Sequence, residues 1–259
     1  MTQAPKLDPK AIKCIGFIGV GVMGEPMCRH LATKSHLKVL AFDLDEPPLK
    51  RLAEFGVQSA SMTQISNEAD LICLSLPSGE IVSKVVHAPG GLLDAGRTGQ
   101  IVVDLSTSPF DTTQKLAAAF TDKGMQFADA PVMRTRAAAE AGTLAVPVGA
   151  TPELYALLEP YIQMFATDVR HAGKAGSGQV VKILNNMVVY ETVLALSEAR
   201  AIGARAGVDP ETLFAALAAG SADSFALRNQ GLKAIVPQEF PERAFPVTYA
   251  RKDLSYAVA

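Results

Sequence analysis

Residues 15–24 read Ile-Gly-Phe-Ile-Gly-Val-Gly-Val-Met-Gly, a short apolar run that leads into three spaced glycines. In a turn between a strand and a helix, Gly19 allows a sharp change of direction, Gly21 lets the backbone approach a pyrophosphate, and Gly24 lets the helix pack on the sheet. The N-terminus of that helix then faces the negative charge of the ligand. The predicted pyrophosphate-binding residues are therefore Gly19, Gly21, Val22, Met23 and Gly24.

The residues on either side of this turn support the same interpretation. Residues 14–18 are apolar enough for a buried parallel strand, and residues 25–32 have the apolar spacing of a helix. A second apolar run, 38–42, ends at Asp43, which stands 19 residues after Gly24. A carboxylate at about that distance bonds the hydroxyls of an adenosine ribose and repels a 2′-phosphate. The sequence thus predicts NAD as the cofactor, although one carboxylate does not exclude NADP.

The composition argues against several classes of function. The chain has 259 residues and a net charge of −2, which gives no electrostatic reason to expect nucleic acid or an anionic membrane as a partner. Charged residues are expected to interrupt every apolar run before it could span a membrane, and the polar N-terminus does not resemble a signal peptide. The three cysteines and four histidines show no metal-ligand spacing. We expect a cytoplasmic protein without a bound metal, its cysteines being buried thiols.

Strand and helix patterns alternate over about the first 170 residues, which predicts an α/β fold with a doubly wound parallel sheet. Strands are predicted at 14–18, 38–42, 57–58, 70–76, 100–104, 125–128 and 144–148, and helices at 25–32, 47–55, 79–86, 110–122, 152–165, 178–206, 210–218 and 225–234, with another from 250. The character changes near Gly173, where the long helical pattern begins. We therefore expect a dinucleotide-binding Rossmann domain over residues 1–172 and an all-helical domain over 173–259, joined by a long helix.

Three polar side chains follow the start of the long helical pattern. Lys182, Asn185 and Asn186 have the i, i+3, i+4 spacing that places them on one helix face. A solvated stripe or a hydrogen-bond network between helices would explain them without any catalysis. Beside a dinucleotide domain, however, hydride transfer from an alcohol needs a group that takes the hydroxyl proton, and a desolvated lysine can do so. We therefore predict that Lys182 is a general acid/base.

Five blocks of residues show a resemblance to a known family and together span most of the chain. They are 16–27, Asp104-Leu105-Ser106-Thr107, Asp129-Ala130-Pro131-Val132 with Gly142-Thr143-Leu144, 173–186, and Lys252-Asp253-Leu254. In these blocks the chain resembles the β-hydroxyacid dehydrogenase family, which includes 3-hydroxyisobutyrate dehydrogenase and tartronate semialdehyde reductase and is related to 6-phosphogluconate dehydrogenase.

The resemblance implies roles for individual residues. It implies a Rossmann domain joined to a helical domain, with Lys182 as the general acid/base and Asn186 orienting the substrate. Asn185 would be a neighbour that contacts or supports the substrate. Leu76, Pro77 and Thr107 would pass near the cofactor, Ser106 would lie beside the substrate, and Lys252 would reach the nicotinamide half.

The chain departs from the family where most relatives have Ser-Gly-Gly after Pro-Val. It has Met133-Arg134-Thr135 there, so the usual backbone cradle for a substrate carboxylate is altered. Arg134 offers a planar fork that pairs with carboxylate, sulfonate or phosphate. The Arg-Thr pair resembles that of the sulfolactaldehyde reductases of this family. We expect Met133, Arg134 and Thr135 to bind a small anionic substrate, with Arg136 as a helper; the alternative is that Arg134 turns to solvent, to Asp129 or to Glu140.

The expected reaction is hydride transfer between NAD(P) and a small anionic 3-hydroxyacid or its semialdehyde. Imine reductases share this architecture, but another residue replaces the lysine in them. Non-catalytic scaffolds of the same fold have also lost the lysine. The presence of Lys182 disfavours both alternatives. A methyltransferase would leave Lys182 without a role. Relatives continue beyond the Lys252–Leu254 block, whereas this sequence stops at Ala259 within an amphipathic pattern. We therefore expect an incomplete chain, or a homodimer or homotetramer that closes the site differently.

Overall fold

The structure is a computed structural model that describes residues 12–240 and 247–258. An eight-stranded sheet has the strand order β3-β2-β1-β4-β5-β6-β7-β8. The strands are β1 (Cys14–Ile18), β2 (Lys38–Phe42), β3 (Gln58–Ser59), β4 (Leu71–Leu74), β5 (Ile101–Asp104), β6 (Gln126–Asp129), β7 (Leu144–Gly149) and β8 (Ala166–Gly173). Every neighbouring pair is parallel except β6 and β7, which pair antiparallel at Asp129 and Gly149. The expected doubly wound sheet is confirmed, and it departs from the expected parallel arrangement only where β7 pairs with β6.

Helices follow most of the strands. They are α1 (Gly24–Ser35), α2 (Glu46–Ala53), α3 (Met62–Glu68), α4 (Gly79–His87), α5 (Leu92–Ala95), α6 (Phe110–Asp122), α7 (Arg136–Ala141), α8 (Pro152–Ile162), α9 (Ser177–Arg205), α10 (Pro210–Ala219) and α11 (Val247–Ala257), with a π-helix over Leu227–Ile235. The strand order reverses at β1, which lies between β2 and β4. In such sheets ligands bind at the carboxyl ends of the strands beside this reversal.

The sheet is buried on both faces because its central strands are apolar along their whole length. All five residues of β1 are buried, and successive side chains of a strand point to opposite faces. Ile15 and Phe17 accordingly belong to one core cluster, and Cys14 and Ile18 to the other. Each large apolar side chain that is fully buried contributes about 1.5–3 kcal/mol to folding. These two layers hold the strand ends that carry the site.

Several elements differ from the sequence prediction. Helix α8 ends at Ile162 and not at residue 165, and β8 follows it. The sequence analysis missed β8, since its side chains are mostly exposed or half-buried and give no apolar run. It also missed α3, α5 and α7, each of seven residues or fewer, which are too short to show a clear apolar period.

The described chain divides into two compact units, with the boundary between Lys182 and Ile183. The second unit has a small core of its own that contains Leu196, Phe214, Leu227 and Ile235. The helix predicted over 225–234 is present as the π-helix Leu227–Ile235. At Gly231 of this element a Cβ would lie 3.1 Å from the Phe214 ring, so a side chain there would crowd that core.

The long helix predicted over 178–206 is confirmed as α9, which has 29 residues. The expectation that charges interrupt every apolar run is wrong for this helix, which by length and composition alone could cross a membrane. Leu184, Val188 and Leu194 on it are 47%, 56% and 60% exposed. A single helix of this kind is weak ground for a membrane assignment, since core helices of globular proteins meet the same criteria.

Candidate active site

The glycine-rich turn has the geometry that the sequence predicts. Gly19 follows β1 with φ +91°, and a Cβ there would lie 2.2 Å from the Ser75 carbonyl oxygen. At Gly24, the first residue of α1, a Cβ would lie 2.0 Å from the Gly19 carbonyl oxygen. At Gly21, by contrast, a Cβ would meet no heavy atom within 4 Å. Gly19 and Gly24 are therefore needed for the fold, whereas Gly21 leaves space in front of the turn.

The start of α1 can receive an anion. Its N-cap residue, Met23, makes no side-chain capping bond, and Val22 is 63% exposed. The Glu25 N–H donates to the Gly21 carbonyl at 2.9 Å and closes the first turn of the helix. A helix N-terminus without a side-chain cap presents backbone N–H donors and the positive end of the helix dipole. These residues fit a dinucleotide pyrophosphate.

Asp43 lies at the end of β2, beside the same turn. One oxygen of its carboxylate accepts the Val20 N–H at 2.6 Å, and the other accepts the Asp45 N–H at 3.0 Å. Carboxylate oxygens have further lone pairs, so they can also accept ribose hydroxyls. Exposed Asp45 adds negative charge next to this position, whereas Glu46 is paired with Lys50 at 2.7 Å. These acceptor oxygens and their negative charge therefore fit an unphosphorylated ribose better than a 2′-phosphate.

The loops after β4 and β5 are bonded to each other. The Leu76 N–H donates to Ser106 Oγ at 2.9 Å. The buried Asp104 carboxylate accepts the Ser106 N–H at 2.9 Å and the Ser108 hydroxyl at 2.7 Å. Half-buried Thr107 lies within the loop that Asp104 holds in this way. The structure thus places Leu76 and Ser106, predicted from the resemblance, at adjoining strand ends.

Gln179, which the sequence analysis did not single out, joins α9 to the loop after β5. Its side chain is fully buried; Nε2 donates to the Ser106 carbonyl at 2.8 Å, and Oε1 accepts the Ser108 N–H at 3.0 Å. Half-buried Lys182 is three residues further along the same helix. The first turn of α9 is therefore fixed to the loop that contains Ser106, Thr107 and Ser108.

Asp129, at the end of β6, is a second residue that sequence reasoning missed as part of the site. Its carboxylate accepts the Gly176 N–H at 2.5 Å and the Gln179 N–H at 2.8 Å, and so caps the start of α9 from another element. At Gly149 and Gly178 a Cβ would lie 2.3 and 2.8 Å from the Asp129 carboxylate oxygens. Two features of the sequence could have indicated this pair. Asp129 is an acidic residue at the end of a predicted strand, and Gln179 is a polar residue in the first turn of the long helix.

The environment of Asp129 changes its acidity. Burial raises the pKa of this carboxyl from its ordinary 3.8 to about 6, and the charge of Asp104 acts in the same direction. The N–H groups of Gly176 and Gln179 favour the ionised form and oppose the rise in pKa. Asp129 consequently titrates near the acid edge of the neutral range while it holds the start of α9.

The segment 133–135 places its arginine in an unusual backbone conformation. Arg134 has φ +82°, in the left-handed region that favours glycine. Its NH1 donates to the Thr143 carbonyl at 2.5 Å and to Thr167 Oγ1 at 3.1 Å, so neither Asp129 nor Glu140 is its partner. Met133 pairs with β7 through its N–H, which donates to the Ala145 carbonyl. Thr135 is the N-cap of α7 without a side-chain capping bond, and Arg136 lies 3.7 Å from Glu140.

In the second unit, α9 and α11 are joined by a polar cluster. Asn186 Nδ2 donates to Asp253 Oδ2 at 2.6 Å, and Asn185 Nδ2 donates to Asn186 Oδ1 at 3.2 Å. The Lys252 ammonium lies 3.1 Å from Asp253 Oδ1. The alternative of a network between helices is thus realised for Asn186. The predicted contact of Lys252 with the nicotinamide half stays a prediction.

Comparison with known proteins agrees with this arrangement. Residues 14–173 match the family model of the NAD binding domain of 6-phosphogluconate dehydrogenase, and residues 176–259 match that of the NAD-binding of NADP-dependent 3-hydroxyisobutyrate dehydrogenase. The chain is 36% identical over 250 residues to 2-(hydroxymethyl)glutarate dehydrogenase of Eubacterium barkeri, covering 96% of this chain and 82% of the relative. The chain belongs to the β-hydroxyacid dehydrogenase family.

Two further members of the β-hydroxyacid dehydrogenase family extend the comparison. The chain is 34% identical over 251 residues to 3-hydroxyisobutyrate dehydrogenase of Pseudomonas aeruginosa, covering 95% of this chain and 84% of the relative. A solved 3-hydroxyisobutyrate dehydrogenase of Mycobacterium tuberculosis with L-serine has a TM-score of 0.85 at 28% identity, covering 95% of this chain and 86% of that chain. As a member of this family, the chain is an NAD(P)-dependent hydroxyacid dehydrogenase. Among residues 12–240 and 247–258, no group of histidine, cysteine and acidic residues could hold a metal ion.

Proposed function

We propose that this protein transfers a hydride between NAD and a small anionic 3-hydroxyacid or the corresponding semialdehyde. The observation that carries the proposal is the bonding of the first turn of α9 to the Ser106–Ser108 loop through Gln179. Because Lys182 lies three residues further along α9, less than one turn, its backbone is held close to the loop that the family resemblance assigns to cofactor and substrate.

The cofactor would be held by the glycine turn and by Asp43. The N–H groups at the start of α1 would bind the pyrophosphate, and Asp43 would accept the ribose hydroxyls. The nicotinamide supplies the hydride acceptor or donor when the cofactor is bound. Leu76, Pro77, Thr107 and Lys252 would flank the cofactor, as the resemblance implies.

Lys182 would manage the proton of the substrate oxygen. In the oxidation direction a neutral lysine amine accepts the hydroxyl proton as the carbon loses its hydride, and in reduction the ammonium returns it. Asn186 would orient the substrate oxygen, with Asn185 as its neighbour. General acid–base catalysis of this kind is worth about 10²–10⁴-fold in rate.

The substrate would carry a carboxylate or sulfonate. The named relatives act on 2-(hydroxymethyl)glutarate and 3-hydroxyisobutyrate, both of which combine a carboxylate with a hydroxymethyl carbon. The two bonds from Arg134 to Thr143 and Thr167 use one terminal nitrogen of a group that has five N–H donors. We propose that Arg134 binds the anion together with Met133, Thr135 and Ser106, in a cytoplasmic homodimer or homotetramer.

A substrate panel tests the proposal. Short 3-hydroxyacids, their semialdehydes and hydroxysulfonates are mixed with NAD(H) or NADP(H), and turnover is followed by nicotinamide absorbance. We expect activity on at least one anionic compound, and none on the neutral analogue that lacks the acid group. Turnover of a cyclic imine without turnover of any hydroxyacid would favour an imine reductase, and no hydride transfer with any compound would contradict the proposal.

A further inference from the structure

We propose that Gln179 is a positioning residue for the reaction, one that fixes the helix turn carrying Lys182 to the loop after β5. The inference rests on the proposed function, since it concerns where the amine of Lys182 stands. Gln179 does not touch the reacting atoms in this proposal. It acts through Lys182 and through the backbone of the Ser106–Ser108 loop.

The two bonds of Gln179 require an amide. Nε2 donates to the Ser106 carbonyl, and Oε1 accepts the Ser108 N–H, so the side chain bonds one acceptor and one donor of the same loop. An ionised carboxylate could accept from Ser108 but could not donate to Ser106, and a hydrocarbon could do neither. Because Gln179 is fully buried, water does not replace a lost bond at low cost.

Gln179 is also the point where several strand ends meet through hydrogen bonds. Its backbone N–H donates to Asp129 at the end of β6, and its side chain holds Ser106 after β5. Ser106 in turn accepts the Leu76 N–H from the loop after β4. A continuous chain of bonds thus runs from the loop after β4 to α9. A residue that only filled space at this position would not need matched donors and acceptors on two other elements, the end of β6 and the loop after β5.

Lys182 depends on this arrangement because it is less than one helical turn from Gln179. Three residues rise by about 4.5 Å along the helix, and residues three apart are neighbours on its surface. A displacement of a catalytic group by about 1 Å can reduce a rate by about 10²-fold. Release of Gln179 from the loop would therefore lower turnover more than it lowers cofactor binding at the glycine turn, to which Gln179 makes no hydrogen bond.

The decisive variant is Gln179→Glu, whose carboxyl can make both bonds only when it is protonated. Burial and the carboxylates of Asp129 and Asp104, which lie on the elements packed around it, raise the pKa of the introduced group. At pH 8 we expect kcat of Gln179→Glu to be about 10²-fold lower than that of the unmodified protein. The ratio of the two kcat values should rise towards one as the pH falls towards 6. The dissociation constant for NADH should change by about threefold at most.

Two further variants serve as comparison and control. Gln179→Met removes both bonds at all pH values, so its kcat ratio should be low without recovering in acid. Gln100→Glu is the matched control. Gln100 immediately precedes β5, is also fully buried, and donates to the backbone carbonyls of Ser66 and Ala69. We expect Gln100→Glu to lower the unfolding temperature without introducing an acid recovery of kcat.

The outcomes separate this inference from the proposed function. Folded Gln179→Glu and Gln179→Met proteins with kcat within about twofold of the unmodified protein would overturn the positioning role, provided that Lys182→Met is inactive. Failure of both Gln179 variants to fold would also overturn it, because a purely structural residue behaves in that way. An inactive unmodified protein, or a fully active Lys182→Met variant, would overturn the proposed function and this inference with it.

Discussion

The carboxylate of Asp43 accepts the backbone N–H of Val20 at 2.6 Å, which joins the end of β2 to the glycine turn after β1. The acid is therefore oriented by the turn and does not need to reorganise when a ribose arrives. A charge-assisted bond from a backbone N–H to a carboxylate is short and strong. Under the proposed function, cofactor choice and turn conformation depend on the same side chain.

Replacement of Asp43 by asparagine is expected to change cofactor preference. Asparagine keeps an oxygen for the Val20 N–H but removes the negative charge that repels a 2′-phosphate. We expect the dissociation constant for NADH to rise about tenfold and the preference for NADH over NADPH to shrink by about the same factor. Titration of both reduced cofactors by fluorescence measures this, and an unchanged preference would contradict the role of Asp43.

Replacement of Lys182 by methionine should remove the proton transfer while the side-chain volume is nearly kept. Turnover should fall by about 10²–10⁴-fold, with the dissociation constant for NADH largely unchanged. Lys174→Met is the matched control, because Lys174 is exposed and precedes α9. Steady-state kinetics and cofactor titration on both variants check the prediction; equal losses in the two would show that the effect is not specific to Lys182.

Alanine at two glycines of the turn should have opposite effects. At Gly24 the new Cβ would meet backbone 2.0 Å away, so we expect a loss of stability of about 1–3 kcal/mol. At Gly21 it would meet no heavy atom within 4 Å, so stability should be kept while the methyl group hinders the pyrophosphate. Urea unfolding and NADH titration distinguish the two. Equal NADH affinity of Gly21→Ala and the unmodified protein would argue against binding at this turn.

Arg134 can be tested by two substitutions that differ only in backbone tolerance. Both Arg134→Ala and Arg134→Gly remove the guanidinium, but only glycine adopts φ +82° without strain. We expect the glycine variant to be more stable than the alanine variant by about 1 kcal/mol. Both should raise KM for an anionic substrate. If KM for every anionic substrate stays the same, Arg134 does not bind the substrate anion.

Asp129 should give the unfolding free energy a recognisable pH dependence. Its pKa is about 6 in the folded chain and 3.8 ordinarily, so the folded state binds more protons between these values. Stability contributed by this group is therefore fully present below about pH 4 and is lost as the pH rises through about 6. Each pH unit of difference between the two pKa values corresponds to about 1.4 kcal/mol.

The comparison with Asp129→Asn isolates this effect. The difference in unfolding free energy between the unmodified protein and the variant should decrease as the pH rises from 4 to about 6 and then level off. Chemical unfolding at a series of pH values measures it. A difference that increases with pH would mean that the folded chain lowers the pKa of this carboxyl.

The glycine turn and Asp43 could be predicted from sequence because each depends on a local pattern of strand, turn and helix. Helix α9 was predicted within one residue at each end, since a long apolar period leaves no competing interpretation. Edge strand β8 could not be predicted in this way, because its exposed side chains do not show which residues pair with β7.

The partners within the site depend on distant pairings that no local pattern reveals. Asp129 and Gln179 are 50 residues apart, and Asn186 and Asp253 are 67 apart. The sequence predicted Lys182 as a site residue, but it did not reveal Asp129 and Gln179, which hold the first turn of its helix. Their role follows from the order of β5 and β6 in the sheet. The partners of the Arg134 side chain, Thr143 and Thr167, likewise lie 9 and 33 residues further along the chain.

Gly149 and Gly178 each leave out the one carbon that would collide with the carboxylate of Asp129. The three positions therefore share a fixed volume, although they belong to two strands and a helix. A larger residue at Gly149 becomes acceptable only if the acid is shortened in the same step, whereas at Gly178 the backbone oxygens of Pro147 and Asp129, 2.7 and 2.9 Å from the added carbon, exclude it even then. An engineer or an evolving lineage can therefore exchange Gly149 and Asp129 as a pair, but has to keep Gly178.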